Sequence, residues 1–404
     1  MSDSAQRQPV NRLLIANLLG SIAIGLFSMT VCLPSMAEWS EIFATSQARV
    51  QLSFSAFVIG FGGAQLFYGP LSDLYGRRRV IVFGLSVAVV GALLAAFSQN
   101  LSMLIAARFV QGAGASAGIV VGRAMVQDFF AGPDKPRVMA YVGMVMGLCP
   151  PFATILGGQL HVHLGWRAAF FVAALLALIL VVSNSLLLPR TADEAHERPH
   201  WFADMLSAYR RLLRIPEFLG LCVILSMCTG SFYIFLAGFP VVLANYGVGP
   251  AQVGWYIAIV PLSYILGNFI TTRLIRTVAE KRLMYCGHVI TLLGIGLAWV
   301  LAANGIHSAL AVTLPLLGLG LGHGLLMPST LAGTVGVAPA LAGAAAAIAG
   351  VMQQLFGGVS GYVIGLVDLT DARAFALLLM LFMATSLLAQ MAFPHHIKPA
   401  TTAA

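Results

Sequence analysis

The residues best able to do chemistry are a few charged or titratable ones set in long apolar runs. They are Arg108 in Ile-Ala-Ala-Arg-Phe-Val-Gln111-Gly112, His288 after Gly287, and His323 between Gly322 and Gly324. A guanidinium inside a bilayer costs several kcal/mol unless it finds partners. Arg108 is therefore a functional candidate by default. The alternatives are bonding to backbone carbonyls, or snorkelling to a surface about seven residues, roughly 10 Å, away. An imidazole titrates near neutral pH and responds to small changes of surroundings. His323 is accordingly a candidate proton carrier, balanced against a structural histidine for which the flanking glycines only make room. His395 and His396 read as solvated.

Nothing accompanies these residues that points to covalent or metal chemistry. The sequence has no HExxH and no two histidines four apart within an apolar run. The cysteines Cys32, Cys149, Cys222, Cys228 and Cys286 show no CxxC spacing and read as small buried thiols, with neither a disulfide framework nor a zinc site. No enzyme, cofactor or metal is expected on this reading.

Membrane helices must hold these residues. Of 404 residues, 59% are hydrophobic and 9% charged, against about 25% charged in a soluble domain, which excludes a water-soluble globule. One bilayer crossing takes about 20 apolar residues. Such runs fall near 13–33, 50–70, 80–97, 101–122, 138–160 and 166–188, then near 217–244, 251–272, 283–303, 308–330, 341–366 and 373–393. They are twice the length of a barrel strand, and lipid leaves no other partner for the backbone, so twelve transmembrane helices follow. The first run is longer than a signal-peptide core and reads as a retained helix.

With the first residue in the cytoplasm, only Arg49, Arg108, Arg167 and Arg373 of the 22 basic residues fall outside or within a span. The other 18 lie in cytoplasmic segments, so the positive-inside rule places both termini there. Basic residues dealt among short loops on one membrane side do not form a nucleic-acid surface. The chain divides into a six-helix bundle over 1–188, a cytoplasmic linker over 189–215 and a second six-helix bundle over 216–404. In the linker, Trp201, Phe202, Met205, Leu206, Tyr209, Leu212 and Leu213 recur at helical spacing beside Arg210, Arg211 and Arg214. That is either an amphipathic helix on the membrane surface or a plain linker with a basic end.

Two motifs carry a resemblance. Gly69-Pro-Leu-Ser-Asp73-Leu-Tyr-Gly76-Arg77-Arg78 resembles the GxLxDxxGRR signature of the major facilitator superfamily, and Arg108-Phe-Val-Gln111-Gly112-Ala-Gly114 is similar to its RxxQGxG pattern. Gly122-Arg123-Ala-Met-Val-Gln-Asp128-Phe, Gly230 to Pro240, Gly324-Leu-Leu-Met-Pro328 and Ala342-Gly343 leading to Gln353 resemble the Bcr/CflA branch of bacterial drug exporters, nearly end to end. The resemblance implies an all-α membrane protein of two six-helix bundles related by pseudo-two-fold symmetry. It makes Gly69, Asp73, Gly76, Arg77 and Arg78 a cytoplasmic gate, and gives Arg108, Gln111 and Gly112 a coupling role. His288 sits in a helix that is peripheral in this superfamily. Pro150, Gly157 and Gly158 are similar to the antiporter signature GPxxGG and would pack the bundles together.

The chain also departs from the pattern. Leu74 stands where a basic residue is usual, Ala153 and Thr154 replace Gly and Pro of the antiporter signature, and Cys32 precedes Leu33-Pro34 where an acid is common. None of the 14 acids falls at mid-membrane, which leaves His323 as a replacement for the missing coupling acid. In the helices that line the family's cavity, candidate substrate residues are Gln65, Tyr233, Phe235, Tyr264, His323, Gln353 and Gln354. Such a cavity suits a neutral, zwitterionic or anionic amphiphile. The expected protein is a monomeric, multi-pass exporter of the bacterial inner membrane. It would move drugs or a metabolite such as a siderophore by alternating access in exchange for protons. Importer, uniporter and non-transporting sensor are the alternatives.

Overall fold

A computed structural model describes residues 12–130, 134–188, 201–275, 277–338, 341–370 and 372–393. Arg7, Arg190, Arg198, Arg276, Asp371, His395, His396 and Lys398 lie outside the described residues. The twelve expected spans are twelve helices: α1 (Arg12–Thr30), α2 (Gln47–Tyr75), α3 (Arg77–Ala96), α4 (Leu101–Phe129), α5 (Asp134–Leu164), α6 (Arg167–Leu187), α7 (Pro216–Asn245), α8 (Pro250–Leu274), α9 (Glu280–Ala303), α10 (Leu317–Gly336), α11 (Ala342–Gly365) and α12 (Ala372–Ala392). Each is long and apolar enough to cross a membrane, α10 together with the short helix Ala309–Thr313 before it. No strand occurs among the described residues.

Local chemistry sets where helices stop and start. Gly76 joins α2 to α3 at a φ of +88°, a conformation a side chain would strain. Asn100 caps α4 by accepting the Met103 N–H at 2.9 Å. Pro216 and Pro250 open α7 and α8, where no backbone N–H is needed. Leu33-Pro34 stops α1 and begins a 3-10 turn, Leu33–Ser35.

The helices α1 to α6 pack on one another, and so do α7 to α12; α2 meets α11, and α5 meets α8, across the middle. The halves repeat in detail. Gly112 of α4 lies against the Phe57 carbonyl of α2, and Gly320 of α10 lies against the Val260 carbonyl of α8, each too close to admit a Cβ. Phe83, Leu175, Leu293 and Leu381 are exposed on outward faces, where lipid is their expected neighbour. One end of the molecule gathers Arg77 to Arg79, Arg123, Arg273 and Arg282 and is called the basic end; the opposite end carries Trp39, Trp166, Gly247 and Gly305.

Residues Trp201–Leu212 form a helix, and Leu212 is buried against Phe218, Cys222 and Leu225 of α7 and Ala345, Ile348 and Ala349 of α11. Its exposed side carries Leu206, Arg210 and Arg211, and Leu213 just beyond its end is exposed as well. Of the five cysteines expected to be buried, Cys32, Cys222 and Cys228 are, Cys149 is half-buried, and Cys286 is exposed.

Candidate functional site

Between the halves, α2, α7 and α11 bring uncharged polar side chains together. The Tyr233 hydroxyl donates to Gln354 Oε1 at 2.9 Å, and the Tyr233 ring meets Phe54 edge-on with centroids 5.6 Å apart. Gln354 packs against Gly62 of α2, and Gln65, about one turn along α2, lies beside Gly350 of α11. Gln353 Nε2 donates to Thr229 Oγ1 of α7 at 3.1 Å. Gln65, Tyr233, Gln353 and Gln354 are thereby gathered at one seam. Tyr264 lies on α8, half-buried, with its side chain paired to Asn268. Phe235 is not in the seam: it is fully buried in the second half, its ring 6.2 Å from Phe232 and 4.9 Å from Phe239. Two residues turn a helix by about 200°, so Phe235 faces away from where Tyr233 points.

The seam is sealed on one side only. At the opposite end, Gln51 Nε2 donates to the Ala237 carbonyl at 2.8 Å and Gln159 Nε2 to the Ala251 carbonyl at 3.3 Å, each bond crossing between halves. Gly361 fits against Phe54, Gly365 against Ala48 and Gln51, and Gly254 against Ile155. Toward the basic end the contact stops near Gln65 and Gly350 on one flank and near Gly147 and Ile265 on the other; Gly143 and Gly343, further along, face open space. The seam's polar residues therefore lie at the roof of a cleft that opens at the basic end.

Arg108 is fully buried, so it does not snorkel. Its Nη1 donates to the Ser28 carbonyl at 2.8 Å and to Gln111 Oε1 at 2.7 Å, and Nη2 reaches the Met29 carbonyl at 3.4 Å. The guanidinium also lies 4.2 Å from the centre of the Phe57 ring. The last carbonyls of a helix lack partners and carry the negative end of its dipole. Arg108 thus caps α1 where Leu33-Pro34 ends it, and no carboxylate takes part. Gln111 aligns it, and the close packing of Gly112 on Phe57 brings α4 near enough to α2.

The expected gate residues hold the first half to itself. Arg77 pairs with Asp73 at 2.5 Å and with Asp128 at 3.1 Å, and donates to Ser72 Oγ at 2.5 Å. Arg78 donates to the Ser185 carbonyl of α6. Asp73 is 65% exposed, and these contacts stay within α2, α3, α4 and α6. Asp128, noticed in the sequence only as part of a resemblance, is the second acid on Arg77.

His323, named among the candidate substrate residues, is not at the seam: it is buried inside the second half, its Nε2 3.2 Å from Ser231 Oγ and 3.3 Å from Met383 Sδ. Gly158 packs against the Pro250 carbonyl of α8 and so lies between the halves; Gly157, expected to do the same, packs instead against the Val31 carbonyl within the first half. Adjacent residues on a helix point about 100° apart, so both cannot face one neighbour. Thr154 Oγ donates to the Pro150 and Pro151 carbonyls, at 3.0 and 2.9 Å, bracing the proline bend in α5. Gln51 and Gln159, which bridge the halves, were not singled out in the sequence; the signal available was an amide inside an apolar run.

Comparison with known proteins agrees with this architecture. A profile described as Major Facilitator Superfamily matches residues 18–362. The chain is 30% identical over 364 residues to an uncharacterized MFS-type transporter, YdgK, of Bacillus subtilis, covering 89% of this chain and 90% of that protein. It is 28% identical over 387 residues to Multidrug resistance protein D of Escherichia coli, covering 93% and 94% of the two. Among solved structures, a D-xylose-proton symporter superposes with a TM-score of 0.75 at 12% identity, covering 94% of this chain and 96% of that one.

Proposed function

The chain belongs to the major facilitator superfamily, and from that premise we propose that it exports a neutral, zwitterionic or anionic amphiphile across the bacterial inner membrane in exchange for protons. The observation that carries the substrate class is the seam of Gln65, Tyr233, Gln353 and Gln354, amides and one phenol with no charged side chain among them. An amide can donate and accept, so such a roof can meet hydroxyl, amide or carboxylate groups while the aromatic faces take an apolar body. A small dication would find no anion there. The likeness to Multidrug resistance protein D supports outward movement of drugs, and a siderophore or other metabolite of the same chemistry is the endogenous candidate.

By the positive-inside rule the basic end is cytoplasmic, so the conformation described is open to the cytoplasm and sealed outside, ready to load. The opposite conformation requires the Gln51 and Gln159 bonds to part and the two halves to rock about the seam.

The test is efflux of chloramphenicol, a neutral amphiphile, from cells lacking their main drug pumps, with and without a protonophore. Efflux abolished by the protonophore, and weakened roughly tenfold in affinity by Gln354→Ala, supports the reading; one lost hydrogen bond of about 1.4 kcal/mol gives that factor. Purified protein in vesicles that moves no solute under an imposed pH gradient sinks it. A facilitative uniporter is the second reading, favoured by Arg108, whose charge is met by carbonyls and an amide rather than by a titrating acid. Efflux that survives the protonophore selects it.

A further inference from the structure

A second set of polar groups lies inside the second half, between α7, α9, α10 and α12. The hydroxyl of Ser231 donates to the Cys228 carbonyl at 2.8 Å, so its oxygen faces His323 as an acceptor. His323 therefore carries its hydrogen on Nε2, toward Ser231 Oγ and Met383 Sδ. The lone pair is left on Nδ1, which has no hydrogen-bond partner among the described residues, in a side chain only 4% exposed. His288 is fully buried one helix away. Its Nδ1 lies 3.1 Å from the Met284 carbonyl, which can only accept, so the hydrogen is on Nδ1 and Nε2 accepts from the Ser386 hydroxyl at 2.9 Å. The Cys228 thiol stands 3.6 Å from the same Ser386 oxygen. One turn further along α12, the buried amide of Gln390 lies beside His288.

Both rings thus face successive turns of α12 as neutral bases: His323 with the lone pair of Nδ1 free, and His288 with the lone pair of Nε2 held by the Ser386 hydroxyl, which has to turn away before a proton binds there. The titratable groups facing them are Cys228 of α7, Tyr264 of α8, which interacts with Cys228, and each other. From α12 come Met383, Ser386 and Gln390; charged residues of this half stand at helix ends or in loops. Residue 288 is about 12 Å of helix from the basic end of α9, and residue 323 about 20 Å from that of α10. The two bases are therefore stacked along the membrane normal, with Gln390 beside His288 on the side of the basic end.

We propose that His323 and His288 are two stations of a proton path that runs through the second half along α12, separate from the substrate seam. One proton is shared between them. It binds the lone pair of one ring, making an imidazolium, and is released from that ring when the other takes it up. Like charges so close disfavour holding two. The proposal rests on the proton-coupled reading above and names where its proton travels.

The test uses the full-length protein in liposomes with chloramphenicol as probe. Uphill accumulation under an imposed pH gradient needs the proton path; exchange of labelled for unlabelled chloramphenicol at equal pH moves no net proton. For His323→Gln and His288→Gln, accumulation is expected to fall at least tenfold with exchange within twofold of wild type. Ser386→Ala, a milder change, should lower accumulation in the same direction. Accumulation retained by both histidine variants overturns the path, as does loss of exchange alongside accumulation in all three. Wild type that exchanges without accumulating sinks the coupled reading and the path together, whereas coupled wild type with unaffected variants sinks the path alone. Should chloramphenicol not be carried, proton uptake by the detergent-purified protein on a jump from about pH 8 to about pH 5 decides. The wild type should take up about one proton more than the double histidine variant, and equal uptake rejects the proposal.

Discussion

Gln51 of α2 donates its amide hydrogen to the Ala237 carbonyl of α7 at 2.8 Å, a fully buried bond that ties the two halves at the end away from the arginines. On the proposed alternating-access reading it is made in one conformation and parts in the other. Gln51→Ala removes a net contribution of about 1 kcal/mol, and the population sealed at that end should fall about fivefold relative to the open one. Distances between spin labels on the loops at 43–46 and 366–370 measure this. An unchanged distribution means that the glycine contacts alone hold the seal.

Arg108 and the carbonyls of Ser28 and Met29 make a second prediction. Arg108→Ala leaves Gln111 and the end of α1 without partners in a dry site, at about 1–3 kcal/mol for each buried group left unsatisfied. Its thermal unfolding temperature in detergent should drop well below that of wild type. Arg108→Lys supplies one point donor in place of a planar fork and should restore less than half of the loss. Full rescue by lysine would mean that charge, and not the fork, is what α1 needs.

Arg77 meets both Asp73 and Asp128, while each acid has Arg77 as its partner. Both pairs are partly exposed, so either Asp73→Asn or Asp128→Asn should change stability by less than about 1 kcal/mol. Arg77→Ala should cost more than either. A transport defect in Asp73→Asn without loss of stability would then report a contact made only when the basic end closes.

Packing at glycines gives a contrast without charge. Gly112→Ala drives a methyl group into the Phe57 carbonyl, and Gly320→Ala drives one into the Val260 carbonyl, so both should lower the yield of folded protein sharply. Gly143→Ala and Gly343→Ala meet open space and should be neutral or, through helix propensity, stabilising by up to about 1 kcal/mol. Yield after size-exclusion chromatography separates the pairs.

Much of the fold was legible because membrane spans are written locally. Twenty apolar residues between polar breaks require a helix wherever they occur, and Gly76, Asn100, Pro216 and Pro250 mark their ends by chemistry that needs no distant partner. Part of the candidate site was legible for a related reason: an amide or phenol inside such a run stands out, and the structure brings Gln65, Tyr233, Gln353 and Gln354 to one seam. That Phe235 and Gly157 turn into their own halves was not legible, because these helices are apolar nearly all round. Without a polar face, the sequence does not say which side of a helix turns toward a partner and which toward lipid.

The sequence by itself determined that the chain carries twelve helices able to cross a membrane, about where each one lies, and that its basic residues gather at one end. Hydropathy and charge act on each segment independently, so these follow without knowledge of neighbours. Only the tertiary structure decided that Arg108 ends on the carbonyls of α1, that Gln51 bridges the halves, and that His288 and His323 share the side of α12. Those partners lie tens to hundreds of residues apart in the chain, and which of them meet is set by how far each helix is rotated when the bundle packs, a quantity fixed by all the contacts together.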